Sequence, residues 1–135
     1  MSNKFGRSLL HVGARSGSSI AHLLPASTLA DLNATDDHGF TALYHAANLG
    51  NAEAVKELLN QEGIDAQQPD KGSLTAFHVA CYSEKSSPTI VQLLLDFDPT
   101  LLHVKDSINR TGADWARERG RDEITAFLEG RRGEK

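Results

Sequence analysis

The stretch Gly39-Phe-Thr-Ala-Leu-Tyr-His-Ala-Ala-Asn-Leu-Gly50 decides the fold, because it recurs along the chain. An ungapped copy begins 33 residues earlier at Gly6, another begins 34 residues later at Ser73, and a weaker copy begins a further 36 residues on at Asn109. Self-similarity at this period is typical of proteins built from stacked structural repeats. Each copy precedes an apolar patch, these being Ile20/Leu23/Leu24, Val55/Leu58/Leu59, Ile90/Val91/Leu94/Leu95 and Ile124/Phe127/Leu128.

Each unit has the local signals of a helix, a tight turn and a second helix. Thr41 precedes small and apolar residues at helical spacing, so its hydroxyl is expected to cap the first helix. Gly50 follows at the point where the helix must end in a left-handed conformation. A second helix is predicted from about Ala52 to Asn60, because its apolar residues recur on one face. The sequence therefore predicts an all-α fold of helix-turn-helix units joined by short, hairpin-like turns.

This pattern resembles the ankyrin repeat, which reads D-x-x-G-x-T-P-L-H-x-A-A-x-x-G followed by V-x-x-L-L. The matching residues are Asp36, Gly39, Thr41, Leu43, Ala46, Ala47, Gly50, Val55, Leu58 and Leu59 in the second unit, Asp70, Thr75, His78 and Ala80 in the third, Ser8, Leu10, His11 and Gly17 in the first, and Asp106, Thr111, Ala116 and Gly120 in the fourth. The resemblance implies an ankyrin-repeat solenoid of four repeats, over about 3–35, 36–69, 70–105 and 106–130, forming a single domain over 1–130 before a charged tail over 131–135.

Departures from the family pattern carry their own expectations. The proline of the motif is absent from all four units, so the helix starts are less pre-organised. The third unit has an extra stretch from Ser83 to Pro88 between its helices, and the fourth has Asp114 in place of the histidine. The charged end of the fourth unit predicts a capping repeat that meets solvent. Trp115 is expected to pack against the third unit or to shield part of the C-terminal cap, with an exposed binding anchor as the alternative.

Composition and charge narrow the functional classes. The chain has 135 residues, of which 39% are hydrophobic and 24% charged, which is typical of one folded globular domain. The net charge of −4, without a clustered basic face, argues against nucleic-acid binding. No apolar run is long enough for a transmembrane helix, so no membrane association is expected. The lone Cys81 fits a reducing compartment, which favours the cytoplasm with the nucleus as an alternative. A transit peptide is the less favoured interpretation of the basic, serine-containing N-terminus.

The sequence gives no constellation of catalytic or metal-binding residues. The resemblance implies that His11 and His78 bond the motif hydroxyl and brace the turn, and the other histidines lack the spacing of a metal-ligand set. Cys81 occupies an alanine position of the repeat, where a thiol packs as a small apolar side chain. The alternative is that Cys81 acts as a catalytic nucleophile activated by His78. We therefore expect no enzyme activity, no cofactor and no metal.

The resemblance implies that another protein binds in the concave groove formed by the turn tips and the first helices. These positions are Phe5, Arg7, Arg15 and Ser16 in the first unit, Asp37, His38, Phe40, Asn48 and Leu49 in the second, Lys71, Leu74, Tyr82 and Ser83 in the third, and Ile108, Arg110, Glu118 and Arg119 in the fourth. Phe40, Leu49, Leu74 and Tyr82 are expected to form one apolar patch that the repeat core does not need.

The predicted function is protein–protein interaction as an adaptor or scaffold. The alternatives are a small structural subunit of a larger stable complex and a protein inhibitor of an enzyme. The chain is expected to be a monomer unless it belongs to such a complex.

Overall fold

The computed structural model describes residues 9–17, 19–24 and 32–132, and this part of the chain is helical without any strand. The prediction of an all-α fold is therefore confirmed. The helices are α1 (Leu9–Arg15), α2 (Ala42–Asn48), α3 (Ala52–Leu59), α4 (Ala76–Tyr82), α5 (Pro88–Phe97), α6 (Gly112–Glu118) and α7 (Asp122–Arg132), with a 3-10 helix over Pro99–His103.

The helices form two layers. The inner helices α1, α2, α4 and α6 pack side by side in chain order, and the outer helices α3, α5 and α7 form a second row behind them. Small residues allow the inner helices to approach closely, and Ala46, Ala80 and Ala116 are fully buried there. Leu58 and Leu94 fill the outer layer, again without exposure. Close contact of such faces between neighbouring repeats is the main source of stability in a solenoid.

Threonine hydroxyls begin three of the inner helices, as the sequence predicts. Thr41 caps α2, Thr75 caps α4 and Thr111 caps α6. In α4 the Nδ1 atom of His78 also accepts a hydrogen bond from the Thr75 backbone N–H, at 3.1 Å. In α6 the Asp114 carboxylate accepts the equivalent bond from Thr111, at 3.0 Å. The aspartate therefore replaces the motif histidine as a partner for the free N–H group at the helix start.

A hairpin-like turn precedes each of α2, α4 and α6. In the second repeat the N–H of Asp36 donates to the carbonyl of Phe40, at 2.9 Å, and equivalent bonds join Asp70 to Leu74 and Asp106 to Arg110. The fourth residue of each of these five-residue turns has a positive φ, which is 84° at Gly39, 65° at Ser73 and 66° at Asn109. Neighbouring turns are joined, because the Ser107 N–H donates to the Gly72 carbonyl, at 3.3 Å.

The extra stretch of the third repeat packs between its neighbours. The buried Ser83 donates its hydroxyl to the Asn48 carbonyl, and Arg121 donates to the Ser86 carbonyl, at 2.8 Å. The chain approaches the second repeat so closely that a Cβ atom on Gly50 would lie 2.1 Å from the Lys85 carbonyl oxygen. The insertion is therefore part of the repeat packing.

The last outer helix is longer than the sequence indicated. α7 extends to Arg132, into the segment expected to be a charged tail, while residues 133–135 lie outside the described part. Arg131 explains the extension, because its guanidinium lies 3.1 Å from the Asp96 carboxylate and 5.9 Å from the centre of the Phe127 ring.

A pair of glycine-to-alanine substitutions tests the inner-layer packing. A Cβ atom on Gly112 would lie 2.5 Å from the Phe77 ring and 2.7 Å from the Cys81 sulfur, so we predict that Gly112→Ala destabilises the protein by about 1–3 kcal/mol. A Cβ on Gly130, in α7, would meet open space, so Gly130→Ala should raise stability by about 0.5–1 kcal/mol. Urea denaturation measures both changes, and an unchanged stability of Gly112→Ala would contradict the packing described.

Candidate protein-interaction surface

The aspartate that opens each of the second, third and fourth repeats fixes the geometry of its hairpin turn. One oxygen of the Asp36 carboxylate accepts the backbone N–H groups of His38 and Phe40, each at 3.0 Å. Asp70 accepts the N–H groups of the equivalent residues Gly72 and Leu74, at 2.7 and 2.9 Å. Asp106 does the same for Ile108 and Arg110, each at 3.0 Å. The three described turns are consequently held in the same conformation.

The other carboxylate oxygen ties the turn to the inner helix. The Nε2 atom of His45 lies 2.8 Å from Asp36 Oδ2, and the Trp115 indole N–H donates to Asp106 Oδ2, at 2.7 Å. His45 and Trp115 occupy the same position in their repeats, nine residues after the aspartate. Two different ring N–H groups thus make the same bond between turn and helix.

In the third repeat the side chain that lies beside the aspartate comes from the neighbouring second repeat. Val79 occupies the position of His45 and Trp115, and its side chain has no polar group. The Tyr44 hydroxyl of the second repeat lies beside the Asp70 carboxylate and the Tyr82 hydroxyl, and burial together with these neighbours raises the pKa of Tyr44. The tyrosine therefore stays protonated and able to donate.

The Asp36–His45 pair is buried and carries one negative charge. Burial lowers the pKa of His45 to about 4, against the opposing effect of Asp36, while Arg15 and His11 add to the lowering. Burial raises the pKa of Asp36, but the bonds from His45 and the turn N–H groups outweigh it and lower the pKa to about 2. The Arg15 guanidinium donates to His45 Nδ1, at 3.2 Å, which leaves the ring proton on Nε2 facing Asp36.

Motif histidines also join successive repeats. His11 Nε2 lies 2.8 Å from the carbonyl of Phe40, and His78 Nε2 lies 3.1 Å from the carbonyl of Arg110. His78 contacts the Thr75 hydroxyl through Nδ1 at 3.0 Å, which confirms its expected bracing role. The residue at the position of Thr75 in the first repeat is Ser8, which lies outside the described residues. These bonds fix the turns of the second and fourth repeats relative to the preceding inner helix.

Aromatic side chains follow this inner surface. Phe40 stacks on Tyr44 with ring centres 4.2 Å apart, and Tyr82 packs on Trp115 with centres 5.3 Å apart. The contact of Trp115 with Tyr82 confirms the prediction that it packs against the third repeat. The Arg119 guanidinium lies over both rings of this pair, 5.3 Å from the centre of Tyr82 and 5.8 Å from the centre of Trp115.

One expectation about the predicted patch is wrong. Phe40, Leu74 and Tyr82 are only partly exposed and pack against the hydrophobic core, so the core does need them. Phe40 covers the buried Tyr44, and Tyr82 covers the inner face of Trp115. Leu49 is half-buried beside the Gly50 turn. Three of the four residues therefore support the surface as well as forming part of it.

The remaining predicted positions differ in how far their side chains are exposed to solvent. Phe5 and Arg7 lie outside the described residues. Asn48 is half-buried, and Arg110 is half-buried with its guanidinium 3.7 Å from Glu118 and 5.1 Å from the Trp115 ring centre. Exposed side chains belong to Arg15, Ser16, Asp37, His38, Lys71, Ile108, Glu118 and Arg119, whereas Ser83 is buried on the Asn48 carbonyl and is left out of the surface. We call the described predicted positions, from Arg15 to Arg119, the concave surface; they sit at equivalent places in successive repeats.

The side chains that could act as a nucleophile or as metal ligands lie in surroundings that do not favour either role. Cys81 is fully buried, and burial raises the pKa of its thiol, so the nucleophilic thiolate is disfavoured. Within the described residues no three His, Cys, Asp or Glu side chains are grouped so as to hold a metal ion. No helix in the same part of the chain is long and apolar enough to cross a membrane.

The fold and its repeated turns define a helical-repeat protein, and comparison with known sequences identifies the family. A family model described as ankyrin repeats, in three copies, matches residues 10–106. The chain belongs to the ankyrin-repeat family. Ankyrin repeats are generally protein–protein interaction modules, and the family is typically non-enzymatic.

Two relatives illustrate how widely the repeats occur. The chain is 31% identical over 80 residues to ankyrin repeat protein C18/B24 of Vaccinia virus (strain Copenhagen), covering 59% of this chain and 53% of that protein. It is 42% identical over 66 residues to ankyrin repeat and SAM domain-containing protein 6 of Rattus norvegicus, covering 48% of this chain and 7% of that protein. The chain thus spans about half or less of the length of these relatives.

Because His45 is buried and neutral, we predict that the folded protein loses stability as the pH falls into the weakly acidic range. Between pH 6.5 and about 4 the unfolded chain gains a proton on His45 that the folded chain does not, so folding weakens by roughly 3 kcal/mol as the pH falls through this range. His78 acts in the same direction, because burial lowers its pKa too. Below this range, Asp36 adds a further loss as the pH falls from 3.8 towards about 2.

Urea denaturation at about pH 7 and about pH 4.5 checks this prediction. His45→Gln should reduce the difference in unfolding free energy between the two conditions, since glutamine does not titrate. The matched control His103→Gln changes an exposed histidine and should leave the difference as it is in the wild type. If His45→Gln lost as much unfolding free energy between the two pH values as the wild type does, the role assigned to the Asp36–His45 pair would be contradicted.

Substitutions on the concave surface should separate supporting from free side chains. Phe40→Ala and Tyr82→Ala each remove a partly buried ring from an aromatic contact, so we expect each to lower stability by about 1–3 kcal/mol. Ile108 is 60% exposed, so Ile108→Ala should change stability by less than about 0.5 kcal/mol. Thermal unfolding by circular dichroism distinguishes the two classes, and equal losses would show that the division is wrong.

Proposed function

We propose that this chain binds a partner protein through its concave surface and acts as an adaptor or scaffold without catalysis. The observation that carries the proposal is the set of hairpin turns braced by Asp36, Asp70 and Asp106, which presents exposed side chains on a surface fixed before binding. A pre-formed surface loses little conformational entropy on association. Ile108, at 60% exposure, is a large apolar side chain available there for burial.

The absence of catalysis is part of the proposal and is supported by the surroundings of the reactive groups. The Cys81 thiol is buried with a raised pKa, and the ring nitrogens of His78 contact the Thr75 hydroxyl of its own repeat and the Arg110 carbonyl of the next. A side chain with such partners is not free to transfer a proton to a substrate. A cytoplasmic location is likewise proposed, because a lone buried thiol suits a reducing compartment.

Affinity capture from native cell extract, quantified by mass spectrometry, tests the proposal. Wild type is compared with Ile108→Ala and with the matched control Phe97→Ala, which removes another exposed apolar side chain, 43% exposed, from the outer helix α5. We expect a partner that is enriched by wild type and by Phe97→Ala and reduced several-fold by Ile108→Ala. A partner lost only with Phe97→Ala would place binding on the outer layer and contradict the proposed surface.

A further inference from the structure

The exposed charged side chains of the concave surface are mostly basic, above the carboxylates of Asp36, Asp70 and Asp106 that hold the turns. The charged positions of this surface in the described residues are four basic side chains and two acidic ones, namely Arg15, Lys71, Arg110 and Arg119 against Asp37 and Glu118. The complete chain has a formal net charge of −4. A surface whose exposed charges are mostly of one sign selects partners by electrostatic complementarity. The surface therefore favours a partner segment that carries negative charge.

The basic side chains concentrate at the end formed by the third and fourth repeats. Arg110 and Arg119 lie 5.1 and 5.8 Å from the centre of the same Trp115 ring, so their guanidinium carbons are at most about 11 Å apart. Lys71 belongs to the neighbouring hairpin turn, which is joined to the turn of Ile108 by the bond from Ser107 to Gly72. Three cations and one exposed apolar side chain thus share this end of the surface.

The two arginines are held in place without being neutralised by strong ion pairs. Arg119 is exposed, and the contacts that the structure gives its guanidinium are with the rings of Tyr82 and Trp115. Arg110 faces Glu118 at 3.7 Å, which is longer than a hydrogen bond, and both side chains are more than a third exposed. A guanidinium that stacks on an aromatic ring keeps its N–H groups available, and their planar geometry matches a carboxylate.

We propose that the occupant of this end of the concave surface is an acidic segment of a partner protein. Aspartate or glutamate side chains of that segment bind Arg110, Arg119 and Lys71, and an apolar side chain beside them packs on Ile108. This proposal depends on the proposed function, since it specifies the chemistry of the partner for the same surface. It excludes a basic segment, because two or three cations at this end would repel it.

Selection of peptides from a random dodecamer library displayed on phage tests the proposal. The full chain is immobilised at about 0.15 M salt, where weak long-range attraction is largely screened. Wild type is compared with the charge-reversed variant Lys71→Glu/Arg119→Glu. The control Lys56→Glu/Lys105→Glu makes the same change in net charge at exposed lysines outside the concave surface. Circular dichroism verifies that all three chains are folded.

The expected result is an excess of Asp and Glu in the peptides enriched by wild type and by the control, and of Lys and Arg in those enriched by the charge-reversed variant. The acidic peptides should bind the charge-reversed variant at least about tenfold more weakly, equivalent to about 1.4 kcal/mol. Enriched peptides without acidic excess, or no enrichment at all, would overturn the acidic-segment proposal.

The same peptides distinguish this proposal from the proposed function. Non-acidic peptides that bind wild type and lose affinity for Ile108→Ala would overturn the acidic partner and leave the concave surface as the binding site. Peptides of any composition that bind wild type, Ile108→Ala and the charge-reversed variant equally would contradict both proposals, because their site would lie elsewhere.

Discussion

A single carboxylate at the start of each of the last three repeats organises the inner side of this protein. Its first oxygen accepts two backbone N–H groups of the hairpin turn, and in the second and fourth repeats its second oxygen contacts a ring nitrogen of the inner helix. An ionised carboxylate is well suited to this task, because it accepts several bonds at once and charged hydrogen bonds are stronger than neutral ones. Turn, helix and surface side chains therefore form one connected unit.

The second and fourth repeats make the same bond between turn and inner helix with different residues. His45 and Trp115 donate to the aspartate of their own repeats, whereas Tyr44 approaches Asp70 from the preceding repeat. Asp114 replaces a motif histidine at the start of α6. What is common to the repeats is the set of polar atoms that must be paired, and side chains of different shape supply the partners. Trp115 and Tyr44 also contribute to the aromatic contacts along the concave surface.

The fold could be predicted from local pattern, whereas the roles of the surface side chains could not. Helix starts at Thr41 and Thr75 follow from short-range capping, which depends on residues three apart. The stacking of Phe40 on Tyr44 and of Tyr82 on Trp115 depends on rotamers and on contacts between repeats, which have no periodic signal. The contact between Asp36 and His45 could have been predicted from their nine-residue spacing, because the same spacing separates Asp106 from Trp115.

Backbone amide hydrogen exchange, followed by NMR, tests the central claim that the concave surface is rigid before a partner binds. The decisive amides are those of Phe40, Leu74 and Arg110, which donate to the aspartate carboxylates. The account predicts that they exchange at least roughly 100-fold more slowly than free peptide amides, with protection close to that of the inner helices. Exchange of these amides at the free-peptide rate, beside protected inner helices, would show that the turns open readily and would contradict the account.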